Sequence, residues 1–322
     1  MSTIWRTGLL LLAAVTGAAI ALIGGRADAA DTIRVGKSVP IAWTFTPLDI
    51  GVEMGFWDKQ NLKLEISSFG GDAKLQQALA ANGVDFGLGS GPGMGFAAKG
   101  VPARAVAAFA GSPYNLGIVI APNSPYNDIK EMKGKKFAVT TRGSLTEWLL
   151  KRIALAQGWK HDDLVAVPLG SFETNYAAFK TGQVDGIVLA VESCYNLVDK
   201  KEAKIIANMG PYAPHFHTHV HYARDDLIDK NPDLVKRYLA GWFETIAWMK
   251  KNKDKTVEIS ARVLKLPESV ISRAYDEQIG MLQDNGKFDP EAIKVIKESL
   301  VAMEILDHEP KDEEMFTTKF VQ

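Results

Sequence analysis

The residues best suited to hold a polar small molecule cluster at Thr141-Arg142-Gly143-Ser144-Leu145-Thr146. Gly143 lets backbone N–H groups approach an anion, Ser144 adds a hydroxyl, and a helix starting at Leu145 contributes partial positive charge. Arg142 could close a bidentate clamp on a carboxylate or sulfonate. Gly89-Ser90-Gly91-Pro92-Gly93 is a second loop with bare backbone donors, contact being expected at Ser90 and Gly91. It lacks the lysine of a nucleotide phosphate loop, which excludes ATP. Trp43 and Phe69 offer aromatic walls, with Thr44 and Gly70 beside them. Asn115 opens an apolar run, and Glu192 could accept a hydrogen bond from a ligand amine or ring N–H. His215, His217, His219 and His221 recur at every second position, one face of a strand. Imidazoles at i and i+2 stand roughly 6.5–7 Å apart, and no acid or cysteine is interleaved. No metal site is therefore expected, and His217 alone is assigned to ligand contact. Cys194 reads as a small buried hydrophobe, and no Ser-His-Asp or Cys-His signature accompanies it. Neither a catalytic residue nor a cofactor is expected.

Positioning such loops requires a repeated scaffold, and the sequence contains one. Gln77-Ala-Leu-Ala-Ala-Asn-Gly-Val-Asp-Phe-Gly-Leu88 and Tyr176-Ala-Ala-Phe-Lys-Thr-Gly-Gln-Val-Asp-Gly-Ile-Val-Leu189 each read as a helix end, a glycine stop, and Val-Asp opening an apolar strand. Alternation over Asp31–Lys37 predicts a half-buried first strand, followed by strand Leu62–Ile66 and helix Ala73–Ala81. The rhythm recurs as strand Lys136–Thr140, helix Leu145–Gln157, strand Leu164–Pro168, helix Tyr176–Lys180 and strand Ile187–Ala190. Asn115–Ala121 and Thr218–Ala223 read as two strands crossing between lobes. Asn231-Pro232 then opens C-terminal helices whose apolar spacing, Val235, Leu239, Trp242, Phe243 and Ile246, fits packing against the first lobe. In open α/β sheets ligands lie beyond the carboxyl ends of the strands. That rule selects the loops Ser38–Thr46, Ser68–Asp72, Gly89–Gly93, Thr141–Thr146 and Ser171–Asn175.

The N-terminus reads as a cleaved secretory leader over residues 1–29. Arg6 precedes an apolar run from Gly8 to Ile23, and Ala27-Asp28-Ala29 is the cleavage site. The 37 basic and 38 acidic residues give net charge −1, close to −2 once the leader with Arg6, Arg26 and Asp28 is removed. That balance excludes nucleic acid as a partner. A single cysteine excludes an intrachain disulfide, so the fold depends on its own core.

With the elements placed, Pro47-Leu-Asp-Ile-Gly-Val-Glu-Met-Gly-Phe-Trp-Asp-Lys-Gln-Asn-Leu62 resembles the opening helix, Gly-Phe-Phe turn and second strand of periplasmic solute-binding proteins. The family concerned serves nitrate, sulfonate, taurine and thiamine-precursor importers. Ile129-Lys-Glu-Met-Lys-Gly-Lys-Lys-Phe-Ala-Val139, Gly143-Ser144 and Asn231-Pro-Asp-Leu-Val-Lys-Arg-Tyr-Leu-Ala240 are similar to later landmarks of that family. The resemblance implies an α/β fold, periplasmic binding protein-like type II, with two similar lobes joined by a two-strand hinge. It implies lobe 1 over 30–117, lobe 2 over 118–217 and a return over 218–322. It further implies a monomeric periplasmic receptor that captures a small organic anion and delivers it to an ABC permease. A sensor for a membrane signalling partner is the alternative. A pyrimidine-synthase-type enzyme fits less well, because the iron-binding cysteine-rich run implied for the yeast-type synthase is reduced here to Cys194.

Overall fold

The computed structural model describes residues 29–321. The expected leader therefore lies outside the described residues except for Ala29. The chain opens with β1 (Asp31–Lys37), α1 (Pro47–Glu53), α2 (Phe56–Lys59), β2 (Leu62–Ser68), α3 (Asp72–Ala80), β3 (Phe86–Ser90), α4 (Met94–Ala98) and β4 (Ala103–Ala110). It continues with β5 (Leu116–Ile120), β6 (Lys136–Val139), α5 (Leu145–Ala156), β7 (Val165–Pro168), α6 (Phe172–Lys180), β8 (Gly186–Ala190), α7 (Val191–Asp199) and β9 (Lys204–Asn208). After β10 (His219–Arg224) come α8 (Asp225–Lys230), α9 (Pro232–Met249), α10 (Lys253–Leu264), α11 (Glu268–Gln278), α12 (Pro290–Ala302) and α13 (Asp312–Met315).

Two five-stranded sheets result, in the orders β2-β1-β3-β10-β4 and β7-β6-β8-β5-β9. The orders superimpose strand for strand. In each, three parallel strands are followed by one antiparallel strand, β10 or β5, that bridges to the edge. The molecule is thus two similar α/β lobes. The repeated Val-Asp units explain the likeness chemically. Asp85 Oδ2 accepts from Arg34 N at 2.8 Å, and Asp185 Oδ2 accepts from Lys136 N at 2.8 Å. Each aspartate fixes the start of its own strand against the neighbouring one. Asp85 also pairs with Arg34 at 2.7 Å and Arg224 at 3.0 Å, which holds its carboxyl below the usual range despite burial.

The lobe crossings differ from expectation. Asn115–Ala121 and Thr218–Ala223 are not shared between lobes: β5 lies wholly in the second sheet and β10 wholly in the first. The chain crosses instead in the irregular stretches 111–115 and 209–218, which meet where Thr218 N donates to Gly111 O at 3.1 Å. Each of these strands is paired on both sides within its own sheet, so the bend falls to the links. Helix α6 begins at Phe172, four residues before the expected Tyr176, because Ser171 caps it by accepting from Thr174 N.

The expected C-terminal packing is present. Val235, Leu239, Trp242 and Ile246 of α9 are buried, and Gly241 lets the helix press on the Trp57 ring of α2. The later helices also reach the second lobe. Trp148 Nε1 of α5 donates to Ser299 of α12 at 2.7 Å, Asn208 Nδ2 donates to Glu277 of α11 at 2.9 Å, and Tyr195 bonds the same carboxylate. Among the described residues no helix is long and apolar enough to cross a membrane.

Candidate functional site

The strands of both lobes deliver their carboxyl ends to one interlobe cleft enclosing about 780 Å³, part of it open to solvent. Its walls are Ser38–Ala42 after β1, Gly70–Asp72 after β2 and Ser90 at the end of β3 from the first lobe. The second contributes Thr140, Leu145 and Thr146 around the start of α5, Gly170–Phe172 and Asn175 at α6, and Val188–Ala190 with Ser193 at β8 and α7. Asn115, Leu116 and His219 form the part nearest the crossings.

Three groups tie the lobes together across this cleft. Asp72, at the first turn of α3, is buried. It accepts from Ser90 N at 3.0 Å and Ser90 Oγ at 2.9 Å, and across the cleft from Leu145 N of α5 at 3.2 Å. Burial pushes its carboxyl upward and these donors oppose the shift. Glu192, equally buried, accepts from Trp43 N of the other lobe at 2.7 Å and from Gln278 Nε2 at 3.2 Å; burial raises it too. Thr141 Oγ1 accepts from Ala73 N at 3.4 Å.

His219 Nδ1 faces the Gly89 carbonyl at 3.3 Å, and its Nε2 lies 3.0 Å from Asn115 Nδ2. A carbonyl can only accept, so Nδ1 carries the proton and Nε2 accepts from the amide. Burial holds this imidazole neutral, its pKa lowered to about 3. Asn115 Oδ1 and Asn175 Oδ1 are buried acceptors with no protein partner, and both residues line the cleft.

Of the residues singled out from sequence, Gly70, Ser90 and Asn115 line this cavity. Ser144 sits just behind it, its hydroxyl 2.9 Å from Thr140 Oγ1 and 3.1 Å from Thr146 Oγ1. The others are placed differently. Gly143 adopts φ +72, and its N–H donates to Glu147 at 2.6 Å, so that donor serves the helix's own first turn. Arg142 is turned outward, its side chain 79% exposed and 3.8 Å from Glu147; both residues line a separate depression with Phe96 and Lys99. The expected guanidinium clamp is therefore not in the cleft. Trp43 and Thr44 lie in a buried turn beneath it, Trp43 edge-on to Tyr275 at 5.6 Å. Phe69 folds back over Gly36. Gly91 donates to His217 O at 3.1 Å and is packed too closely to admit even a methyl group. His217 precedes β10; its Nε2 accepts from Asp289 N at 2.8 Å, which ties α12 down. Glu192 has both carboxylate oxygens engaged by the protein and does not line the cavity. Only His219 and His221 of the four histidines lie on the strand itself.

Sequence reasoning assigned no ligand contact to Asp72, Asn175, Ser193 or His219, although the selected loops Ser68–Asp72 and Ser171–Asn175 end on the first two and His219 belongs to the histidine series. Asp72 reads as an ordinary first-turn acid after Gly70-Gly71, and nothing local signals a bond to a residue 73 positions away.

Residues 43–256 match the family profile described as NMT1/THI5 like. The chain belongs to the NMT1/THI5-like family. A protein of Bacillus subtilis named for aliphatic-sulfonate binding is 26% identical over 247 residues, covering 74% of this chain and 71% of that protein. The alkanesulfonate-binding protein SsuA from Xanthomonas axonopodis pv. citri, solved with MOPS, superimposes with a TM-score of 0.76 at 18% identity, over 90% of this chain and 98% of SsuA. A Candida albicans protein described as having the generic periplasmic binding protein fold gives 0.76 at 18% identity, over 91% and 98%. The expected family and periplasmic binding protein fold are thus established for this member of the NMT1/THI5-like family.

Proposed function

We propose that this protein is the periplasmic substrate-binding component of an ABC import system, trapping a small organic solute between its lobes and delivering it to a permease. The observation that carries the reading is the single cleft on which the strand ends and helix N-termini of both sheets converge. Such a site binds on one lobe and is completed by the other, so solute and closure stabilise each other. The bonds from Leu145 N to Asp72 and from Trp43 N to Glu192 run from one lobe to the other and stabilise this arrangement of the two.

The role is binding without turnover. The Cys194 thiol is buried and pushed far above its ordinary pKa, and His219, the histidine lining the cleft, is held neutral between Asn115 and Gly89. Relatives named for sulfonate binding support a small organic solute as the ligand. The outward turn of Arg142 removes the clamp that an anion was expected to use.

A thermal-shift screen of the chain from Ala30 against small sulfonates, carboxylates, amides and amines tests the reading, because a solute bound only by folded protein raises Tm by mass action. Small-angle scattering with each hit should show a smaller radius of gyration. Hits that leave the scattering profile unchanged and crystallise on an outer surface would refute it.

A further inference from the structure

Resting on that reading of the cleft, we propose that Asp72 and Asn115 make it select a solute whose inner end donates an N–H, as an amide or ammonium does. The same two residues turn carboxylates and sulfonates away from that end. Asn115 supplies the first half. Its amide orientation is dictated by the tautomer of His219, whose Nδ1–H must point at the Gly89 carbonyl. The Asn115 NH₂ therefore faces Nε2, and Oδ1 is left as a bare acceptor on a side chain of a residue only 2% exposed. A buried acceptor without a partner costs free energy that a donor from the ligand recovers.

Asp72 supplies the second half. Both its oxygens accept from N–H groups, Ser90 N on Oδ1 and Leu145 N on Oδ2, an arrangement suited to the carboxylate. The start of α5, where an oxyanion would otherwise sit, is thus already occupied by a negative group from the opposite lobe. Helices α5, α6 and α7 carry Glu147, Glu173 and Glu192 in their own first turns, all three outside the lining of the cavity. No Lys or Arg lines the cavity among the described residues. Lys37 pairs with Asp49 at 3.4 Å. Lys74 is exposed and is not part of the lining, although its ammonium lies close to Gly70 and Gly170, which are. An anion entering fully would meet Asp72 with no cation among the lining residues to offset it, Lys74 standing outside that lining.

The test uses benzamide, benzylamine, benzoate and benzenesulfonate, four probes of one size with different heads, in thermal-shift and calorimetric titrations of the chain from Ala30. Benzamide or benzylamine should raise Tm, and the two anions should not. Asp72→Asn should shift the benzoate-to-benzylamine affinity ratio towards benzoate by about tenfold or more. Asn115→Ala should remove the benzamide response while circular dichroism stays unchanged. Should Asp72→Asn fail to fold, the wild-type ranking and Asn115→Ala still decide. A wild-type preference for either anion, silence from all four probes, or a ratio unmoved by Asp72→Asn overturns the assignment. Scattering separates the two ideas. Anions that close the protein would sink this inference and leave the receptor reading standing, whereas amides or amines that bind without closure would do the reverse.

Discussion

At the residue scale, the buried histidines make stability depend on pH in a calculable direction. Burial lowers His217 to about 4 and His219 to about 3, and drives His221 well below its ordinary value with a contribution from neighbouring His219. A folded pKa below the unfolded one, about 6.5, means the folded state binds fewer protons in that window. The stability these imidazoles contribute is present above pH 6.5 and lost as pH falls towards 4 for His217 and 3 for His219. Asp72 and Glu192 have the opposite linkage: raised in the fold, their contribution is present at low pH and lost as pH rises through their folded values. Urea unfolding at pH 7, 6, 5 and 4 should show stability falling by up to about 1.4 kcal/mol per pH unit for each histidine. His217→Gln should make that fall shallower; a profile flat from pH 7 to 4 would contradict the assignment.

At the scale of elements, the helices are held by close approach as much as by apolar area. A Cβ on Gly241 of α9 would lie 2.5 Å from Trp57 Cε3 of α2, and the Trp57 ring cannot retreat because it stacks on Tyr238 at 5.7 Å and donates to Leu48 O. Helix propensity favours alanine over glycine by about 1 kcal/mol, whereas overpacking costs about 1–3 kcal/mol. Gly241→Ala is therefore expected to destabilise by up to about 2 kcal/mol net, read as a lower urea midpoint with unchanged m-value. A variant as stable as the parent would mean that α2 and α9 slide apart freely.

At the scale of the whole molecule, closure depends on how near the lobes approach. Gly71, at φ +122, lies where a Cβ would be 2.6 Å from Thr141 Oγ1 and 3.0 Å from Thr140 Cβ of the opposite lobe. Alanine there acts as a wedge, and its strained backbone costs of order 1–3 kcal/mol. Gly71→Ala should weaken binding of whichever solute the screen identifies by about tenfold or more, and the mixture should keep the scattering profile of the open form. Unimpaired compaction would show that the lobes meet elsewhere. The C-terminal straps to α5 and β9 make the hinge more than a pair of links, since Ser299 and Glu277 must follow or release the second lobe as it moves.

The sequence by itself determined the paired strand-and-helix rhythm, the family, and the loops from which the cleft is built, because these rest on local periodicity, glycine stops and repeated Val-Asp units. Tertiary structure alone decided which side chains face the solute. Arg142 and Gly143 sit in the most suggestive loop, yet the guanidinium points outward beside Glu147 and the Gly143 N–H is taken by the same residue. Asp72 looks like a routine helix start, yet folding brings it to Leu145 in the opposite lobe. Side-chain direction and contact across 73 residues depend on how two separately folded sheets dock, and no short-range pattern encodes that docking.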